Sequence, residues 1–193
     1  MAGIPGSVAW YVTGRFYATA SGATQDLGYF LYLQGIDGSL FAGDPGEAAA
    51  YFTFRSTPFT ATLVPNGAIS IGLDPVGEFS VYLNAQPAGD FGKPDSFSGG
   101  TLVATFRRVG VVMGVTVKGP PVDDVPTRLF ASNVFTSQLV SSAPFEFGGA
   151  TYDFADLFPS GITQWGTAAE VPLPPVGEFA TVLPFAGSAV IVG

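Results

Sequence analysis

Apolar and polar residues alternate with a period of two through much of this chain, the spacing of a β-strand that lays one face on a core. Residues 8–20 put Val8, Trp10, Val12, Phe16 and Ala18 on one side, and Ala9, Tyr11, Thr13, Arg15, Tyr17 and Thr19 on the other. Gly14 interrupts the apolar side, as at a bend or a close approach of two backbones. Residues 27–34, LGYFLYLQ, are apolar on both sides, which predicts a strand covered on both faces.

The clearest architecture lies in residues 51–84, where three extended segments are separated by turn signals and read as a β-meander. Pro65-Asn66-Gly67 supplies a fixed φ followed by two residues that tolerate positive φ, a hairpin turn. Before it, Gly35-Ile36-Asp37-Gly38 and Asp44-Pro45-Gly46 bracket a short predicted strand at 39–43. Ala48-Ala49-Ala50 reads as a single helical turn or as the start of a strand. Residues 85–100 have no period and form a predicted surface loop of the kind used as a lid or an interface arm.

Residues 101–118 are the longest strand-like stretch. Their apolar face runs through Leu102, Ala104 and Phe106, then changes phase to Val109, Val111, Met113, Val115 and Val117. The phase change predicts a bulge at Arg107-Arg108 that lets both arginines reach water. An unbroken strand would instead turn one of them inward, where it needs a carboxylate. Residues 119–127 read as a stiff acidic loop, 128–140 as a strand, and 145–154 as a hairpin turning at Gly148-Gly149. The Pro-rich segment 169–193 is expected to be an edge strand or an arm, since proline lacks a ladder N–H. Within it, Pro175-Val176-Gly177-Glu178-Phe179 repeats Pro75-Val76-Gly77-Glu78-Phe79, by duplication or by shared strand-opening chemistry.

These elements predict one all-β domain over 1–193: a single antiparallel barrel of about eight strands, with a β-sandwich as the alternative. The 26 glycines and 16 prolines are spread along the chain, as short strands joined by tight turns require. Charged residues make up only 11%, against about 25% in ordinary soluble domains. That scarcity predicts a second buried surface beside the core, a ligand cavity or a subunit interface, and a homo-oligomer is expected. With a net charge of −8 and only Lys93 and Lys118 as lysines, the chain has no footprint for nucleic acid. No apolar run reaches the ~20 residues of a membrane span. The N-terminus has no signal-peptide pattern, so a cytoplasmic location is expected, a removed leader being the alternative.

Without His or Cys, imidazole and thiolate catalysis and His/Cys zinc sites are excluded. Phosphate-loop and nucleophile-elbow motifs are absent, and Gly92-Lys93 runs into Pro94. Oxygen-only metal binding would fall to Asp123-Asp124 or to Asp153 with Asp156, but none of these forms a recognisable loop; no metal or cofactor is expected. The remaining catalytic candidates are Glu78, Tyr82 and Arg55, a carboxylate, a phenol and a guanidinium set in apolar strands. Phe79, Val81 and Leu83 make the opposite face of that strand the natural core face, which places Glu78 and Tyr82 outside. Trp10, Phe16, Phe30, Phe52 and Phe54 are candidates to line a ligand cavity, or to fill it.

Gly6-Ser7-Val8-Ala9-Trp10 resembles the first-strand Gly-x-Trp signature of lipocalins, members of the calycins, with three residues between Gly and Trp. The meander with short turns resembles barrels of the allene-oxide-cyclase type. These resemblances imply a barrel architecture and transfer no site residue. The surplus of aromatic strand residues, with no nucleophile or metal set beside it, points to a barrel that binds a hydrophobic small molecule, with a cofactor-free isomerisation or cyclisation as its chemistry. The alternative is a non-enzymatic, oligomeric structural or coat-type β-module.

Overall fold

A computed structural model describes residues 4–60, 62–66, 69–74, 77–118, 128–169 and 171–193. Its strands are β1 (Val8–Thr19), β2 (Ala23–Leu33), β3 (Phe52–Ser56), β4 (Phe59–Thr60), β5 (Thr62–Asn66), β6 (Ile69–Asp74), β7 (Glu78–Leu83), β8 (Thr101–Lys118) and β9 (Arg128–Ser142). They are followed by β10 (Phe145–Phe147), β11 (Ala150–Tyr152), the one-turn helix α1 (Phe154–Leu157), β12 (Ile162–Ala168) and β13 (Phe179–Ile191). Eight of them close an antiparallel barrel in the order β8, β7, β3, β2, β1, β13, β12, β9, with β9 returning to β8. Closure removes the unpaired edges that so uncharged a sheet would otherwise expose to other chains.

Alternation decides what lies inside. Trp10, Val12 and Phe16 of β1 point inward with Phe30, Phe54, Phe79, Val81, Phe106, Phe135, Leu183 and Phe185, all buried in one cluster. Trp10 sits at its centre, edge-on to Phe30, Phe106 and Phe158 at 5.6, 5.5 and 5.4 Å between ring centroids. Phe79 and Phe106, directly opposite each other on β7 and β8, stack at 5.1 Å. Phe145 and Phe147 of the β10–β11 hairpin pack on Phe52, and Phe154 of α1 packs on Phe106. Asp153 caps α1 by accepting from Ala155 N at 2.8 Å. It also accepts a hydrogen bond from Ser142 Oγ, so one of the aspartates considered for a metal has a structural task.

Gly14 faces Gly28 across β1 and β2. A Cβ on Gly14 would stand 2.3 Å from Leu27 O and 2.9 Å from the Phe185 ring, so the two glycines let the strands approach and let that ring in. Outside the barrel a second, smaller core forms where the loop 85–100 crosses β1 and β2. Phe91 and Phe97 cover Tyr17, Leu27 and Val182, and Thr53 Oγ1 donates to Phe97 O at 2.7 Å. The loop is a strap that carries a 3-10 turn (Pro94–Ser98). It supplies the outer cover expected for β2 at Leu27 and Tyr29 only; Leu31 and Tyr32 farther along the strand are exposed, so the strand is not covered on both faces throughout.

Several expectations are corrected. Residues 39–43 form no strand; Phe41 makes only an isolated bridge to Ala50, and the alanine run closes a 3-10 turn, Glu47–Ala49. The meander is interrupted: β3 pairs directly with β7, while the β5–β6 hairpin pairs with the far part of β8, residues 112–116. The hairpin itself forms in the expected place, Asn66 facing Ile69; its turn residues Gly67 and Ala68, and Pro75, Val76 and the acidic loop 119–127 with Asp123-Asp124, lie outside the described residues.

There is no bulge at Arg107-Arg108. Register with β9 shifts between Thr105 and Phe106, runs unbroken through 106–109 and shifts again between Val109 and Met113, so the irregularities flank the arginine pair and the two side chains point to opposite faces. Nor is the C-terminal segment an edge or an arm, because β13 lies between β1 and β12. Pro184 is tolerated there because its carbonyl accepts from Ala169 N, just past the end of β12. A residue's N and O point to the same side of a strand, so the missing N–H falls where the neighbouring ladder has ended.

Candidate functional site

Inside the barrel, the inward member of the arginine pair is Arg108. Its Nη2 donates to Asp26 Oδ1 at 2.8 Å, with side chains 3% and 6% exposed. The guanidinium lies between the rings of Phe59 and Phe135, at 4.9 and 4.7 Å from their centroids. Cation–π attraction therefore offsets some of the desolvation. Nε and Nη1 have no protein partner, and neither has the buried Ser137 Oγ directly across the β8–β9 ladder. Asp26 also borders a cavity of about 10 Å³ lined by Trp10, Val12, Phe30, Phe54, Phe79, Phe135 and Gln164. That is room for about one water. Trp10 Nε1 donates to Gln164 Oε1 at 3.0 Å on the same cavity.

The five residues expected to line or fill a cavity thus pack into the interior: Trp10, Phe30, Phe52 and Phe54 with Phe16 beside Phe185 at 4.6 Å. Glu78, Tyr82 and Arg55 share the outer face of β3 and β7, Arg55 lying opposite Ser80 between the other two. Their polar groups are turned apart. The Glu78 carboxylate takes two bonds from Arg107, at 3.0 and 2.8 Å. Arg55 turns to Gln25 Oε1 at 3.3 and 3.1 Å, to Asp95 at 2.6 Å and to Ser98 Oγ at 3.3 Å. Tyr82 is half-buried.

The outer wall away from the strap has a different character. Tyr32 of β2 faces Tyr11 of β1, which faces Ser188 of β13; Ser188 faces Trp165 of β12, and Trp165 faces Val134 of β9. One row of side chains therefore crosses five strands. Tyr32, Tyr11 and Trp165 are 43, 46 and 47% exposed. A register shift between Tyr11 and Val12 turns Leu31 outward as well. No charged residue occurs in β12, in β13, in residues 8–14 of β1, in 27–33 of β2 or in 132–142 of β9.

Two of these features had a readable trace in the sequence. Asp26 is a lone charge on the inward face of a doubly apolar strand, and the C-terminal strands carry no charge. The alignment of Tyr11, Tyr32 and Trp165 had none, since it depends on registers between residues up to 177 apart in the chain, Tyr11 and Ser188. Among the described residues no group of three or more acidic side chains is placed to hold a metal ion, and no helix is long and apolar enough to cross a membrane. No family model, no curated protein and no solved structure matches the chain.

Proposed function

We propose that this protein is a self-associating, non-enzymatic β-barrel module that docks on a second copy of itself through the wall formed by β2, β1, β13, β12 and β9. The row Tyr32, Tyr11, Trp165 on a charge-free surface carries this reading. A chain of net charge −8 repels its own copies, so a self-complementary contact is favoured where the face brings no like charges together. Trp and Tyr are the side chains that most often anchor such contacts.

A carrier of a hydrophobic small molecule, with or without a cyclisation or isomerisation, is the reading that the barrel shape and its buried aromatic cluster suggest. A drug-sized ligand needs a pocket of about 300–1,000 Å³, and the cavity that the described residues line beside Trp10 is about 10 Å³. That function would require the Trp10 cluster to part, and Glu78 and Arg55 to leave their present partners.

Sedimentation velocity over a range of micromolar concentrations tests the assembly. The expected result is a dimer that Trp165→Glu converts to a monomer with an unchanged circular dichroism spectrum, a loss of about 2 kcal/mol or more of association energy. A wild-type protein that stays monomeric throughout that range overturns the proposal.

A further inference from the structure

At the other end of β1 and β2 from the Tyr11–Tyr32 pair lies a groove of about 550 Å³, within the range of small-molecule sites. Thr19, Ala23, Thr24 and Gln25 come from β1, β2 and their turn, Arg55 and Pro58 from β3 and the connection after it, Lys93, Pro94 and Asp95 from the strap, and Glu178 and Phe179 from the start of β13. We propose that this groove binds a neutral oligosaccharide.

The polar groups are arranged for ligand hydroxyls. Gln25 is 3% exposed, and its Oε1 accepts from both Arg55 Nε and Nη2. That pairing orients the amide and leaves its NH₂, two donors, with no protein partner on the groove floor. Arg55 makes four bonds with its five N–H groups, to Gln25 twice, Asp95 and Ser98, so one further donor remains on Nη2. Asp95 gives one oxygen to Arg55 and keeps the other as an acceptor. Glu178 on the rim makes no ion pair among the described residues. Donors on the floor and acceptors on the walls match a sugar hydroxyl, which needs both.

The charges decide the class. Two cations, Arg55 and Lys93, face two anions, Asp95 and Glu178, so neither an anionic nor a cationic ligand is favoured by the lining. Lys93 is further neutralised by Asp90 at 3.3 Å. Phe179, Pro58 and Pro94 add apolar surface for the C–H face of a pyranose ring. The Phe179 ring is braced edge-on against Tyr17 at 5.2 Å, which holds it in place before any ligand arrives.

The test is saturation-transfer NMR followed by titration of the full chain. The probes are cellotriose, maltotriose, xylotriose, mannotriose and chitotriose, with trigalacturonic acid and chitosan trimer as charged controls. At least one neutral trimer is expected to bind at about 5 mM or below, and more tightly than either charged trimer. Asp95→Ala and Glu178→Ala remove exposed acceptors without touching the core and are each expected to weaken that binding about tenfold. Phe179→Ala, checked for an unchanged melting temperature, is expected to do the same. No binding by any neutral trimer, a preference for a charged one, or affinity unchanged in both acceptor variants would overturn the proposal. Trp165→Glu leaves this groove intact, so the outcome is independent of the oligomeric state.

Discussion

A single inward arginine shows how much one residue can demand of this fold. Arg108 is buried because β8 keeps its alternation through Phe106, Arg107 and Arg108, and the barrel answers with Asp26 on the inner face of β2. Removing one partner of such a pair strands the other charge in a low dielectric. Asp26→Asn is therefore expected to cost about 3–5 kcal/mol in urea unfolding, whereas Asp26→Leu with Arg108→Met is expected to recover most of that loss. A double variant no more stable than Asp26→Asn would show that the pair does more than compensate itself. Tyr17 makes a quieter contribution under the strap, donating to Phe91 O at 2.7 Å. Burial pushes its phenol above the ordinary tyrosine range, with Arg15 opposing. The folded state thus holds this proton more firmly than the unfolded chain does. The resulting stability is complete below the ordinary value of about 10 and fades as pH rises through and above it. Tyr17→Phe is expected to cost about 1 kcal/mol at neutral pH and to flatten the loss of stability above pH ~10. Tyr29, raised by the same burial, supplies the remaining slope.

Among the elements, the contrast between β8 and β13 is instructive. Both were legible as strands, but where each would bend or sit was not. The phase change in β8 was visible from its apolar residues, yet its position depends on β9, which advances two residues while β8 advances four between Val109 and Met113. The prolines of the C-terminal segment argued for an edge, and the argument fails because Pro184 lies one step beyond the last ladder pair of β12. Gly14 behaved as its place in the pattern suggested. Its partner Gly28 leaves still less room, with a Cβ there 2.1 Å from Thr13 O. Gly28→Ala is expected to force β1 and β2 apart and to lower stability by about 1–3 kcal/mol, read as a fall in melting temperature. An unchanged melting temperature would mean that the two strands yield at no cost.

For the whole molecule, closure is the property on which the others depend. β13 joins β1 to β12, so a chain ending at residue 178 loses the strand that seals the ring and exposes the Trp10 cluster on both sides of the gap. Such a truncation is expected to abolish cooperative unfolding, not merely to change the oligomeric state; calorimetry that still shows a sharp transition would contradict it. The scarcity of charge now has a location. It is concentrated on the wall of β12, β13 and residues 132–142 of β9, while the charged residues near β2, β3 and β7 form ion pairs or line the groove.

By itself the sequence determined the strand-rich class, the apolar face of most strands, the hairpins at Asn66 and Gly148-Gly149, and the absence of imidazole and thiol chemistry, because each of these follows from local alternation, turn residues or composition. Only the tertiary structure decided which strands are neighbours, that Arg108 meets Asp26, that Arg55 turns to Gln25 and away from Glu78, and that Tyr32, Tyr11 and Trp165 fall in one row. Those facts are set by register between strands far apart in the chain. A shift of one residue moves every side chain to the other face, and nothing local in the sequence records which register the packed core selects.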